Sequence, residues 1–271
     1  MKLAIDAGHA FNTAGKRTPD GEREWTFNNK VALALTEEIN KYEGVQVIRL
    51  DDPTGNYDVP LLNRTNKANT EKADLLVSIH HNAFQGVWGT HGGTETIIWN
   101  GTYGSKSTTK SFATLVLNKI LPAYGLRSRG VKEANLHMLR ESNMTAVTIE
   151  GGFMDSTTDI VKLRDDNVLK NVGIAIAKAV AEFKGLKLKE VPKPVEPTPQ
   201  PPTELYRIRK TWEDEKSQIG AYANLDSAIS VALSSGYNVY NSKGVKLYPM
   251  ELPIEPPLTQ EELRKIRKLI N

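Results

Sequence analysis

At 271 residues the chain has room for two domains, since a single domain usually holds roughly 100–200 residues, and its 39% hydrophobic and 25% charged side chains are those of a globular protein. No apolar run approaches the ~20 residues of a membrane-spanning helix, and a net charge of +3 is a small excess where a nucleic-acid binder would concentrate a basic face. Cysteine is absent, which excludes disulfides and thiolate metal sites and leaves His and carboxylate to hold any zinc.

Met1-Lys2 runs directly into Leu3-Ala4-Ile5-Asp6-Ala7-Gly8-His9, which reads as a first core strand and not as a secretory leader. If the protein works outside the cytoplasm, the expectation is that something other than an N-terminal signal lets it out. Short apolar or β-branched runs predict strands at 3–6, 45–50, 75–79, 94–99 and 146–149. Helical stripes lie between and after them: Phe27, Val31, Leu35 and Ile39; Phe112, Val116 and Ile120; and Leu169, Val172, Ile176, Val180 and Phe183. This alternation predicts an α/β domain over 1–186, with a twisted mixed or mostly parallel sheet flanked by helices.

Residues 187–203 change character, with six of the 14 prolines between 190 and 202, and predict a semi-rigid linker. Residues 204–249 predict a small α+β module: strands at 205–209, 237–240 and 245–248 around a helix near 225–234. The tail at 250–271 carries one further helix signal, Thr259-Gln260-Glu261-Glu262 ahead of Leu263, Ile266 and Ile270.

The chemistry-bearing residues are His9, Glu24, His80 and Glu150. His9 follows the first strand, and His80 and Glu150 close two others, where α/β sheets place ligands; Glu24 opens the first helix. Two imidazoles and a carboxylate are a standard catalytic zinc set with a position left for water, and a second carboxylate can serve as base.

The segments resemble those of the zinc-dependent N-acetylmuramoyl-L-alanine amidases of the amidase-3 type. The similar motifs are Ile5-Asp6-Ala7-Gly8-His9, with Ala7 where proline is more usual; Glu24-Trp25-Thr26-Phe27-Asn28; and Ala73-Asp74-Leu75-Leu76-Val77-Ser78-Ile79-His80-His81-Asn82-Ala83, with His81 where alanine is frequent. The fourth comprises Arg129-Gly130-Val131-Lys132 and Leu139-Arg140, running into Ala146-Val147-Thr148-Ile149-Glu150-Gly151-Gly152-Phe153. The resemblance implies zinc on His9, Glu24 and His80, Glu150 as general base, and as substrate the amide joining N-acetylmuramic acid to L-alanine in peptidoglycan. It also offers Arg140 as positive charge near the oxyanion, with a surface or structural arginine as the equal alternative.

His81 is a candidate substrate contact or an exposed neighbour of His80, and strand alternation favours exposure. Asp6 either orients a ligand imidazole or caps the following loop, Arg64 reads as structural, and His91 and His137 have no assigned role. The C-terminal module resembles the SPOR-like modules of some wall hydrolases, which makes Tyr206, Arg207, Arg209, Trp212 and Tyr222 candidate wall contacts, with Trp212 and Tyr222 equally suited to a core. A phage endolysin or a bacterial autolysin fits this layout. A zinc peptidase or carboxypeptidase acting on stem peptides, and a wall-binding protein whose catalytic domain has lapsed, are the alternatives.

Overall fold

A computed structural model of the chain describes residues 1–101, 105–189 and 204–249. The chain divides into two compact units, Met1–Val191 and Pro192–Asn271. The proline-rich stretch at 190–203 and the tail helix signal lie outside the described residues.

In the first unit, β1 (Lys2–Ala7), β2 (Gln46–Arg49), β3 (Leu75–Asn82), β4 (Thr94–Trp99), β5 (Ser128–Ala134) and β6 (Thr145–Phe153) form one sheet in the order β2-β1-β3-β6-β4-β5. The β2, β1, β3 and β6 ladders are parallel, and β4 runs antiparallel to β6 and parallel to β5. The sheet is therefore mixed. β5 is a strand that apolar runs do not announce: its sequence, Ser-Arg-Gly-Val-Lys-Glu-Ala, is that of an edge strand with no fully buried residue.

Alternation along the strands divides the core. Leu3, Ile5, Leu75, Val77, Ile79, Val147 and Ile149 face α1 (Glu24–Ile39), α3 (Lys106–Tyr124) and α6 (Asp166–Lys184), whose apolar stripes complete the larger cluster. Each fully buried aliphatic side chain there contributes about 1.5–3 kcal/mol of transfer free energy. α1 and α6 approach so closely at Gly173 that a Cβ there would lie 2.6 Å from the Ala34 Cβ and the Val31 carbonyl. The opposite face packs Ala4, Leu76, Ile97 and Ala146 with Ala68 of α2 (Leu61–Thr70) and with Met138 and Leu139 of α4 (His137–Arg140). α5 (Asp159–Leu163) leads into α6.

The second unit is a four-stranded antiparallel sheet, β10-β9-β7-β8, formed by β7 (Tyr206–Arg209), β8 (Gly220–Tyr222), β9 (Asn238–Tyr240) and β10 (Lys246–Tyr248). One helix, α7 (Leu225–Ser235), covers it: Asn224 caps its start by accepting from the Ser227 N–H, and Gly236 ends it in the left-handed conformation. The small core is Ile208, Ala228, Ala232 and Val239, with Tyr206 and Tyr222 packed against it. Arg209 is buried: its guanidinium stacks 4.8 Å from the Trp212 ring and donates to the Trp212 carbonyl and to Gln218. Arg209, expected as a wall contact, is therefore covered, its guanidinium held by local acceptors and stacked on the indole.

Candidate metal centre and catalytic pocket

The polypeptide leaves β1 at Ala7 and turns at once. The Gly8 N–H donates to the Ile79 carbonyl, and His9 adopts φ 66°, a left-handed conformation uncommon outside glycine. Gly8 has no substitute here, because a Cβ would fall 2.0 Å from the His80 ring. His9 and His80 consequently stand edge to face, with ring centroids 4.8 Å apart.

Between them sits Glu24, the first residue of α1. Its Oε1 lies 2.9 Å from His80 Nδ1 and its Oε2 3.3 Å from His9 Nε2. One ligating atom from each of the three residues lies within 4.8 Å of the other two, a spacing that a divalent cation can bridge. Glu24 is oriented from behind: Oε1 also accepts from the His81 N–H and from Asn28 Nδ2, one helical turn on, and that same amide nitrogen donates to the Gly8 carbonyl.

The parallel register of β3 and β6 sets His80 directly beside Glu150. Among the described residues, Glu150 Oε2 is the one buried side-chain polar atom with no hydrogen-bond partner. A buried oxygen left unpaired is costly, which marks the place where a water, an ion or a substrate group belongs. Burial pushes the Glu150 carboxyl up to about 7, with Glu24 and Glu95 adding to the rise against the charge of His80. Burial would also raise Glu24, but the hydrogen bond from His80 and the charges of His80 and His9 outweigh it and hold this carboxyl at about 2. His9, desolvated, falls to about 4.

Three cavities touch His9 and His80, one of them, of about 290 Å³, past Asp58 and Arg64, and the other two also reach Glu150. Of those two, one, of about 240 Å³, runs past Leu61, Leu136 and Met138; the other, of about 230 Å³, runs past Gly15, Asn82 and Ala83; His9, Lys16, His80 and Glu150 line both. The arrangement can hold a divalent ion, present a carboxylate to a reacting water and admit a substrate on two sides.

The four residues singled out from the sequence are thus brought together, whereas the secondary ones are not all at the site. His81 is buried, not exposed as alternation alone suggested. Its side chain does point away from His80, but that face is covered by α1 and α3, where Nδ1 donates to Asn28 Oδ1 and Nε2 accepts from the Tyr124 hydroxyl. Arg140 is engaged by Glu141 and Asn135 and does not line any of the three cavities. Asp6 neither orients an imidazole nor caps a loop: it accepts from Arg64 and from Ser78, and Arg64 also donates to the Ala7 and His9 carbonyls. His137 lines the cavity past Leu136 and contacts Thr65, while His91 pairs with Asp155 outside the cluster.

Asn28 and Lys16 join His137 as residues at the site to which the sequence reading gave no role. Asn28 stands four residues after Glu24, the helical spacing that places it behind the carboxylate. Lys16 lies in an irregular loop, where spacing carries no such signal.

Comparison with known proteins agrees with this geometry. Residues 3–182 match the family described as Amidase_3, N-acetylmuramoyl-L-alanine amidase. The chain is 32% identical over 242 residues to the sporulation-specific N-acetylmuramoyl-L-alanine amidase of Bacillus subtilis (strain 168), covering 88% of this chain and 83% of that one. It is 33% identical to an endolysin of Bacillus phage SPP1, over 68% of this chain and 66% of the endolysin. Among solved structures, an N-acetylmuramoyl-L-alanine amidase from Clostridium difficile 630 superposes with a TM-score of 0.62 at 30% identity, covering 68% of this chain and 96% of that one. The catalytic domain of CwlV, from Bacillus (Paenibacillus) polymyxa var. colistinus, superposes with a TM-score of 0.61 at 28% identity, covering 69% and 99%. With the motifs, the sheet and the pocket in agreement, the chain belongs to the N-acetylmuramoyl-L-alanine amidase family.

Proposed function

We propose that this protein hydrolyses the amide between N-acetylmuramic acid and L-alanine in peptidoglycan, with zinc held by His9, Glu24 and His80 and with Glu150 as general base. The observation that carries the reading is the unpaired, buried Glu150 Oε2 beside three convergent ligand atoms. The donor set suits zinc: two imidazoles and one carboxylate, backed by Asn28 and the His81 N–H, with room in the adjoining cavities for a further ligand.

Zinc so held supplies a Lewis acid that acidifies water and polarises the amide carbonyl. Glu150 takes the proton of the attacking water on Oε2 and delivers it to the departing alanine nitrogen. Its elevated pKa suits both halves of that transfer, since the carboxyl exchanges a proton near neutrality. Glu24 keeps its orientation because Asn28 and the His81 backbone fix it.

The second unit serves as a SPOR-like wall-binding module, through Tyr206, Arg207, Trp212 and Tyr222, with Arg209 in support of the Trp212 ring. Zinc is the cofactor and the cell wall the partner, reached after release from the cell that makes the enzyme. Among the described residues no helix is long and apolar enough to cross a membrane.

Zinc content together with mass spectrometry of digested peptidoglycan tests the reading. One zinc per chain and new L-alanine amino termini on an intact glycan are expected. Shortened stems would instead indicate a peptidase, and neither product would indicate a lapsed enzyme.

A further inference from the structure

We infer that residues 83–88 form a glycan subsite, so that the sugar strand lies on the Asn82 and Ala83 side of the scissile amide and the stem peptide on the side of Leu61, Leu136 and Met138. The inference rests on the amidase reading and adds a direction to it. A substrate cut between sugar and peptide must extend both ways from Glu150, and the two cavities that meet there differ in their walls.

Ala83, in the wall of the cavity past Asn82, leads along the chain directly into a run of large exposed apolar side chains. Phe84 is 66% exposed, Val87 58% and Trp88 40%. These side chains are not on a loose strap. Asp155, fully buried, accepts from the backbone N–H groups of Phe84, Gln85 and Gly86 at 2.8–3.0 Å and from His91 Nε2 at 2.6 Å. A backbone bridge between Gly89 and Ser156 closes the loop. Arg164 stacks over the Trp88 ring and pairs with Asp20 and Glu22, in the same loop as Lys16. Polar anchors buried beneath the loop therefore hold apolar rings out in water, an arrangement that stability alone does not favour.

Pyranose rings present C–H faces that stack on aromatic side chains, and aromatic rings give that contact area at low conformational cost. The other cavity offers thioether and leucine side chains with no Phe, Tyr or Trp ring, which suits the small methyl groups of an alanine-containing stem.

Hydrolysis rates by the full chain test this, on one stem peptide carried either by a single muramoyl sugar or by a glycan oligomer. The wild type is expected to prefer the oligomer, and Phe84→Ala with Trp88→Ala to lower the oligomer-to-single-sugar ratio of kcat/KM by about tenfold. Because the readout is a ratio, a general loss of folded enzyme does not imitate it. Phe84→Tyr with Trp88→Phe, which keeps the rings, should keep the ratio. An unchanged ratio in the alanine variant overturns the subsite, and so does a fall produced by Leu61→Ala with Met138→Ala instead. If the wild type frees no alanine amino terminus from either substrate, the amidase reading itself fails and takes this inference with it.

Discussion

Buried carboxylates are treated in opposite ways at two levels of the same sheet. At the level of Asp6, both carboxylate oxygens are used: Oδ1 accepts from Arg64 at 2.7 Å and Oδ2 from the Ser78 hydroxyl at 2.7 Å. Nearer the rim on the same face, Glu150 keeps one oxygen with no partner. This fold is evidently able to satisfy a buried acid. The contrast teaches that the cost at Glu150 is tolerated where a reacting group must remain free, and that the surrounding strands supply the stability it withholds.

The sharpest way to break that contrast is Glu150→Gln. Turnover should fall by about 10²–10⁴, the usual contribution of a positioned general base, while zinc content stays at the wild-type level. Thermal stability should hold or rise, since a neutral amide in the same place avoids desolvating a charge. A variant that keeps full activity removes Glu150 from the chemistry. The complementary change, Arg64→Met, should act on stability first. It strands Asp6 in the interior and loosens the carbonyls of Ala7 and His9, and breaking such a buried pair costs about 3–5 kcal/mol. Urea unfolding measures the loss, and Asp6→Asn added to Arg64→Met should recover part of it. A loss below about 1 kcal/mol would mean that the Asp6 level is no better satisfied than Glu150.

Much of this arrangement is legible in the residue order. Short apolar or β-branched runs locate β1, β2, β3, β4 and β6, and the strand-end His9, His80 and Glu150 with Glu24 at a helix start locate the cluster, because both signals are local. What is not local is lost. Alternation correctly turns His81 away from His80, but only the packing of α1 and α3 shows that the far face is also interior. There Tyr124, 43 residues later, reaches the His81 ring, and burial draws the imidazole's pKa down to about 4. β5 escapes notice for the reverse reason, as an edge strand whose partly exposed positions carry no apolar alternation. Asp6 and Arg64 find each other across 58 positions, a pairing that no spacing rule contains. In the second unit, the aromatic and basic residues were visible, yet which of them are covered depends on a stack between Arg209 and Trp212 that composition does not encode.

Asp155 extends the comparison to the loop, as a third buried acid and the most fully satisfied. Burial acts to raise its pKa, but the hydrogen bonds from His91 and from the Gly86, Phe84 and Gln85 N–H groups together hold it below its ordinary value of 3.8. A carboxyl whose pKa is lower folded than unfolded stabilises the protein above the unfolded value, and that stabilisation is lost as pH falls through the lowered folded value. The loop at 83–93 should therefore be anchored throughout the neutral range and should release first in acid. Hydrogen exchange at the Phe84, Gln85 and Gly86 amides reads this directly: protection holds above pH 3.8 and declines below it, ahead of the amides of β1 and β3. Asp155→Ala should reproduce the acid behaviour at neutral pH, at a cost of about 1–3 kcal/mol in local opening. Equal protection in the variant and the wild type would show that the loop stands without its carboxylate, and the contrast with Glu150 would then be confined to the sheet.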